Sequence, residues 1–90
     1  MAHNEHATLT ANVERIFTFP INAGRVEVLN RDGSAEVWFK VNNTAATVGG
    51  DGCHVLPAAI NSLEVDDETS GSTVVRVISS GTPAVSVRVW

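Results

Sequence analysis

The side chains that could do chemistry are few in this chain and are poorly grouped. His3 and His6 have the i, i+3 spacing that could hold a metal ion on a helix, but the only further ligand near them is Glu5. Cys53 and His54 are adjacent, and neighbouring residues of a strand point to opposite faces, so they cannot act together as nucleophile and base. We therefore expect histidines without a metal ion and a buried structural thiol.

Two further segments have compositions that occur in binding sites. The glycines around Asp51, in "GGDG" at 49–52, could form an anion nest or a calcium loop. A calcium loop needs several spaced oxygen ligands and a phosphate loop needs a lysine and a following helix, so an ordinary glycine turn is the better interpretation. The run Asp66–Glu68 could bind a cation, but it also fits a solvated acidic turn. Because no catalytic grouping or cofactor motif occurs, we predict a protein that is not an enzyme and binds no cofactor.

The charge balance excludes several classes of partner. The formal net charge is −4, with one Lys and five scattered Arg, whereas a nucleic-acid-binding surface needs clustered basic residues. The same balance disfavours anionic membrane surfaces, and no stretch approaches the ~20 apolar residues that span a bilayer. The N-terminal residues lack the pattern of a signal peptide, and Cys53 is alone. We therefore expect synthesis in a reducing cytoplasm, and neither nucleic acid nor membrane as a partner.

The composition of the chain and the spacing of its turn residues predict an all-β protein, whose strands must position any site. Fourteen Val and eight Thr stand against four Leu, and β-branched side chains fit a pleated sheet better than a helix. Turn residues separate seven or eight short segments at intervals of about ten residues, which is typical of an antiparallel β-sandwich or small barrel. Residues 1–7 are polar and aperiodic, so we predict a flexible N-terminal arm at 1–7 and a single β-sandwich domain at 8–90.

Two hairpins are predicted within this domain. Strands at Arg25–Asn30 and Ala35–Asn42 flank the loop "RDGS", in which Gly33 can take a positive φ. That loop sets a register with Val28 opposite Val37. Residues 71–90 predict a second hairpin that turns at "SSGTP". Alternation predicts these core-facing residues: Val26, Val28, Val37, Phe39, Val41, Val75, Val77, Val85, Val87 and Val89.

Large apolar and basic side chains remain on the outward faces of these strands. Trp and Arg are enriched at binding hot spots, because both offer a large contact area with a polar handle. We predict a partner interface formed by Leu29, Trp38, Val74, Arg76, Ile78, Arg88 and Trp90. The alternative is that another segment of the same chain covers these residues.

The segment "VLNRDGSAEVWFKVNNTAATVGGDGCHVLPA", together with "LEV" and "VVRVISSGTPAVSV", resembles small virion proteins of tailed phages that infect actinobacteria. In such sequences an N-R-x-G turn leads into a T-A-x-T-V-G-G-D segment, followed by an L-P-A turn and an "ISxGTP" segment. The match covers roughly residues 25–89. Ala46 stands where relatives often carry proline.

This resemblance implies a structural role on the virus particle. The expected function is that of a capsid decoration protein, which binds the assembled shell of major capsid protein and stabilises it on the virion surface. Such proteins are often β-rich homo-oligomers, with a trimer favoured. A minor tail or head–tail connector protein is the alternative. A carbohydrate-binding module, in which Trp38 or Trp90 would stack on sugar rings, is a third interpretation.

Overall fold

The computed structural model describes residues 3–66 and 71–90, and all of its regular secondary structure is β. The eight strands are β1 His3–Thr8, β2 Arg15–Phe19, β3 Arg25–Asn30, β4 Val37–Val41, β5 His54–Leu56, β6 Asn61–Asp66, β7 Thr73–Ile78 and β8 Ala84–Val89. Within the described residues no helix is long and apolar enough to cross a membrane.

The strands form two four-stranded antiparallel sheets. Sheet A has the order β1-β8-β3-β6, and sheet B has the order β2-β7-β4-β5. Each strand of the first half of the chain pairs with its counterpart from the second half: β1 with β8, β2 with β7, β3 with β6 and β4 with β5. The chain is therefore a long antiparallel ribbon that reverses between β4 and β5 and is wound into a sandwich. This is the jelly roll, or double-stranded β-helix, and it confirms the predicted antiparallel β-sandwich.

The core lies between the two sheets and follows the alternation of the strands. Val residues of β3, β7 and β8 point inward at every second position, and Phe17 and Phe39 fill the space between the sheets. Nine of the ten predicted core residues are fully buried, and Val41 packs against their cluster while half-buried. The pattern therefore predicted the inward faces correctly.

The predicted hairpin between β3 and β4 is wrong in its pairing. Those two strands lie in different sheets: β3 pairs with β6 and β8, and β4 pairs with β5 and β7. Val28 lies opposite Leu63 and Val87 instead of Val37. The "RDGS" loop crosses from one sheet to the other, and Gly33 has the predicted positive φ, 67°.

The predicted hairpin between β7 and β8 is wrong for the same reason. β7 lies in sheet B between β2 and β4, whereas β8 lies in sheet A between β1 and β3. The "SSGTP" segment therefore connects the two sheets. Alternation places a side chain toward the core equally well in either arrangement, so the pattern cannot distinguish a hairpin from a crossing between sheets.

The N-terminal segment also differs from its prediction. Residues 3–7, predicted as part of a flexible arm, belong to β1, which pairs with β8 over six residue pairs. The polar residues of β1 lack apolar alternation, and the strand forms at the edge of sheet A because β8 offers it a complete ladder. Residues 1 and 2 of the predicted arm, and Asp67 and Glu68 of the acidic run, lie outside the described residues.

A polar side chain fixes the connection between β3 and β4. Asn30 is fully buried, and its Nδ2 donates to the carbonyl oxygens of Ala35 and Pro57 at 2.9 and 3.2 Å. Its Oδ1 accepts a hydrogen bond of 3.0 Å from the Gly33 N–H. The side chain thus links the β3–β4 connection to the β5–β6 connection and satisfies three backbone groups.

Candidate partner-binding surfaces

The outer face of sheet B carries an apolar row across three strands. Trp38 of β4 lies opposite Val55 of β5 on one side and Ile78 of β7 on the other. Directly opposed residues of paired strands project from the same face, so these side chains are neighbours. Val55 is 41% exposed, Trp38 is half-buried and Ile78 is only 8% exposed. Something other than the sheet itself therefore covers part of the row.

The β4–β5 connection, residues 42–53, lies over the part of this face next to the row. Lys40 projects from the outer face of sheet B, and its Nζ donates to Thr44 Oγ1 at 3.3 Å. Gly52, near the end of the connection, lies beside the same lysine side chain. Ala46, at its middle, is buried. Residues 44–52 thus lie over the outer face of sheet B, as the alternative of self-coverage predicted for this part of the surface.

A carboxylate fastens the connection to the sheet. Glu14 Oε1 accepts from Arg76 Nη1 at 2.9 Å, and its Oε2 accepts from the Ala46 N–H at 2.6 Å. The ion pair is largely shielded, with the Arg76 and Glu14 side chains 29% and 18% exposed. Since proline has no N–H, the hydrogen bond from position 46 requires a residue such as the alanine that this chain carries.

The glycine segment forms turns, as predicted. The Gly50 N–H donates to the Thr47 carbonyl, and the Cys53 N–H donates to the Gly50 carbonyl, which closes two consecutive turns. Gly49 and Gly52 take the positive φ values that such turns require, 70° and 81°. These turns leave Val48 exposed at the outer surface of the connection.

The outer face of sheet A is polar. One row across its four strands consists of Asn4, Arg88, Glu27 and Glu64, and the next consists of His6, Ser86, Leu29 and Ser62. Arg88 Nη2 lies 3.4 Å from Glu27 Oε1. Leu29 is half-buried and has a serine on each side, so it is an isolated apolar side chain and not part of a patch.

Trp90 continues β8 past its end and belongs to this polar face. Its backbone N–H donates to the Arg25 carbonyl at 3.0 Å. The guanidinium of Arg88 lies 4.3 Å from the centroid of the Trp90 ring, a cation–π contact on the outer face of sheet A. The indole ring of Trp90 therefore contacts an arginine of the same chain.

The predicted interface residues thus do not form one surface. Trp38, Val74, Arg76 and Ile78 lie on the outer face of sheet B, whereas Leu29, Arg88 and Trp90 lie on that of sheet A, on the opposite side of the sandwich. Within sheet B, Arg76 pairs with Glu14, and Ile78 is buried. The side chains were correctly predicted to point outward, but not to lie together.

The sequence interpretation missed the most exposed large apolar residues among those described. These are Val13, Ile16, Val48, Val55 and Ile60. Ile16 and Val55 lie on the two edge strands of sheet B, and Val48 lies on the connection that covers this sheet. The outward direction of Ile16 is predictable from the sequence, because Ile16 alternates with Phe17 and Phe19, which point inward.

The residues considered for chemistry remain apart. His3 and His6 lie in rows on opposite faces of sheet A, and His6 Nδ1 is 2.6 Å from Ser86 Oγ. In the part of the chain that the structure describes, no group of three or more His, Cys, Asp or Glu side chains could hold a metal ion. Cys53, predicted to be buried, is only half-buried, because it lies in the turn that precedes β5.

One carboxylate has a perturbed pKa. Hydrogen bonds from the backbone N–H groups of Ser34 and Ala84 to Asp32 hold the pKa of this carboxyl below its ordinary value of 3.8. Asp32 therefore joins the β3–β4 connection to the start of β8. Its role is structural, since both carboxylate oxygens accept hydrogen bonds from the chain itself.

Comparisons with known proteins inform the fold. No protein-family model matches the chain, and a search of curated proteins also gave no match. A similar solved structure is a de novo designed double-stranded β-helix, with a TM-score of 0.56 and 18% identity over 97% of this chain and 95% of that chain. Another is a family two carbohydrate esterase from Cellvibrio japonicus, with a TM-score of 0.44 and 13% identity over 99% of this chain and 34% of that chain. The first supports the double-stranded β-helix fold alone, and the second is too dissimilar to carry an argument.

Proposed function

We propose that this protein is a non-catalytic virion protein of a tailed phage, which decorates and stabilises the assembled shell of major capsid protein. The observation that carries the proposal is the contrast between the two outer faces of the sandwich. The outer face of sheet A is polar, whereas the sheet B side exposes Ile16, Val48 and Val55, which are three of the five most exposed large apolar residues among those described. Exposed apolar side chains that share one side of a small domain favour association with another protein through that side.

The sheet B side suits a large, flat partner. Ile16 and Val55 lie at opposite edges of the sheet, and the connection carrying Val48 lies over the sheet that separates them. No concave pocket is needed for such contacts, because adjacent subunits of a shell offer a broad surface. The resemblance of residues 25–89 to small phage virion proteins supports this class of partner.

Trp38 has a revised role in this proposal. It is half-buried between Val55 and Ile78 in the apolar row on the outer face of sheet B. It therefore supports Val55 from the side and offers the partner only its exposed part.

The arrangement of the two tryptophans disfavours sugar binding. A carbohydrate platform uses coplanar exposed aromatic rings, but Trp38 lies on sheet B and Trp90 lies against Arg88 on sheet A. The jelly roll itself does not decide the matter, since viral capsid proteins and lectins both use it.

The first test is the copy number of the protein in purified particles of the phage that encodes it, scaled to the major capsid protein by quantitative mass spectrometry. We expect a copy number close to that of the capsid subunit. A value of a few to dozens would assign the protein to the tail or connector, and absence from particles would refute a virion role.

The second test locates the docking side. Purified protein is mixed with shells that lack it, and the bound fraction is measured by sedimentation. Val55→Asp places a charge on the exposed sheet B side, and we expect it to weaken binding at least about tenfold, because a buried unpaired carboxylate is costly. Ser62→Asp places the same charge on the exposed outer face of sheet A and is the matched control. Equal binding by both variants, or loss with Ser62→Asp alone, would contradict docking through sheet B.

A further inference from the structure

The N-terminal strand contributes little to the core that it borders. None of the six residues of β1 is buried, and four of them are exposed. By contrast, Val85, Val87 and Val89 of the neighbouring strand β8 are fully buried. β1 is held mainly by its backbone ladder with β8, by the contact between His6 and Ser86 and by the packing of Ala7 against the core. Detaching β1 therefore costs mainly a ladder of hydrogen bonds and little buried apolar surface.

Three of the four edge strands carry features that disfavour the addition of a further strand. Glu5 lies on the core-facing row of β1 yet is exposed, and an inward charge of this kind blocks edge-to-edge pairing. β6 carries exposed Glu64 and Asp66, and β5 has only three residues. The edge of β8 that β1 occupies, by contrast, accepts a strand over six residue pairs.

The segment that follows β1 has the features of a hinge. Leu9 is buried and donates its N–H to the Pro83 carbonyl, so it belongs with β1 on sheet A. The chain then turns tightly toward β2, with Asn12 at a positive φ of 60°. The Asn12 N–H donates to the Ser79 carbonyl at 2.8 Å. Opening this turn into an extended connection relieves the positive φ of a residue that has a Cβ.

We propose that β1 is exchanged between copies of the protein, so that His3–Thr8 of one copy occupies the β8 edge of another in the same register. The occupant is a second copy, because the register of β1 on β8 shows that this segment fits the edge over its whole length. The exchange creates an oligomer without a new interface, since every contact made between copies already exists within one. This inference goes beyond the proposed function and does not depend on it.

The test uses thiol pairs that report which copy supplies β1. His6 and Ser86 are opposed across the β1–β8 pair, so in a Cys53→Ser background one copy carries His6→Cys and another carries Ser86→Cys. The two proteins are unfolded, refolded together and treated with a short bismaleimide, and the covalent heterodimer is measured by denaturing gel. The matched control replaces the first variant by Leu29→Cys, which lies opposite Ser86 on the other side, in β3.

We expect the His6–Ser86 heterodimer to exceed the control yield at least about tenfold, because only β1 is exchanged. A yield equal to the control would overturn the proposal. A single chain with both His6→Cys and Ser86→Cys must also cross-link within itself when it is refolded in dilution, and failure to do so would refute the pairing on which the proposal rests.

Hinge variants supply an independent readout. Asn12→Gly accepts the positive φ without strain, so the cross-linked yield should fall, by about fivefold, because the closed turn is favoured. Asn12→Pro cannot adopt that φ and has no N–H for Ser79, so the yield should rise. If both variants leave the yield unchanged, the turn is not the hinge and the exchange as stated is wrong.

Discussion

Replacing Asn30 by alanine should be among the most destabilising polar substitutions in this protein. The change removes one side chain that satisfies three backbone groups: the Gly33 N–H and the carbonyl oxygens of Ala35 and Pro57. A buried group left unsatisfied costs about 1–3 kcal/mol. Gly33 and Ala35 are half-buried, and the Pro57 carbonyl keeps a second donor, Asn61 Nδ2 at 3.4 Å. We therefore expect a total loss of about 3 kcal/mol in the free energy of unfolding, near the lower end of the per-group range for each of the three.

The chain offers a close control for this prediction. Asn61 is the cross-strand partner of Asn30, and its Nδ2 donates to the carbonyl oxygens of Ala59 and Pro57 on the solvent side of the same connection. In Asn61→Ala water can replace both bonds, so we expect a loss of about 0.5–1 kcal/mol. The two variants thus remove similar chemistry from the buried and exposed sides of one connection.

Urea unfolding followed by tryptophan fluorescence measures both variants. A loss of about 3 kcal/mol is a large part of the roughly 5–13 kcal/mol expected for 90 residues. It should lower the melting temperature by about 12–24 °C. Asn30→Asp keeps the shape but turns an acceptor toward two carbonyl oxygens, so near neutral pH it should be at least as destabilising as alanine. Values for Asn30→Ala and Asn61→Ala within about 0.5 kcal/mol of each other would refute the reasoning, because that is the scatter of ordinary surface substitutions.

Three further outcomes are expected from the same unfolding assay. Gly33→Ala should lower the free energy of unfolding by about 3 kcal/mol, because φ is 67° and the added Cβ would lie 2.8 Å from the Ala59 carbonyl carbon. Gly49→Ala has a similar φ of 70° but open space around the added Cβ, so it should cost about 1 kcal/mol. Similar costs for both would show that the close approach is unimportant. Thr73→Val should cost about 2 kcal/mol, because the buried hydroxyl forms hydrogen bonds with two backbone groups of the β2–β3 connection. Thr73→Ser keeps the hydroxyl and should keep most of the stability. Equal losses for the two variants would show that these hydrogen bonds are unimportant. Asp32 has a lowered pKa in the folded state, so its contribution is complete above 3.8 and is lost as the pH falls below that value through the folded pKa. Asp32→Asn should therefore reduce the slope of stability against pH below about pH 4, and an unchanged slope would assign the acid sensitivity to other groups.

Alternation in the sequence decides which way a side chain points but not which strand lies beside it. Val26, Val28, Val37 and Phe39 are all fully buried, as the pattern predicted. The same pattern also suits a hairpin, which the short separation of four residues between the two predicted strands favours. In the jelly roll this short connection crosses between sheets, with Asn30 holding it in place. Partner choice depends on the winding of the whole ribbon, which a local pattern does not contain.

β1 could not be predicted from its own residues. Its six residues, HNEHAT, have neither β-branched enrichment nor apolar alternation. The strand exists because β8 presents backbone groups at the edge of sheet A that the extended N-terminal segment satisfies over six residue pairs. Its weak burial is also what makes its exchange between copies inexpensive.

The outward direction of a side chain does not predict which other residues share its surface, as the candidate interface shows. Trp38 and Trp90 both point away from the core, as predicted, yet they lie on opposite sides of the molecule. Which outward residues share a surface depends on the sheet to which each strand belongs, and the incorrect hairpins joined strands of different sheets. The alternation of Ile16 with Phe17 and Phe19 does predict its outward direction, whereas β5 has only three residues and gives little local pattern to mark Val55.

The connection between β4 and β5 adds a layer to part of sheet B. The ribbon reverses there, and the twelve residues from 42 to 53 are more than a tight turn requires. They fold back over the part of the sheet that carries Lys40 and Arg76. One carboxylate oxygen of Glu14 accepts from Arg76, and the other accepts from the Ala46 N–H. Trp38 lies in the adjacent apolar row between Val55 and Ile78, where its large side chain buries apolar surface that would otherwise face water. The same layer carries Val48 outward, so the residues that stabilise the connection and those proposed to contact a capsid lie on its two opposite surfaces.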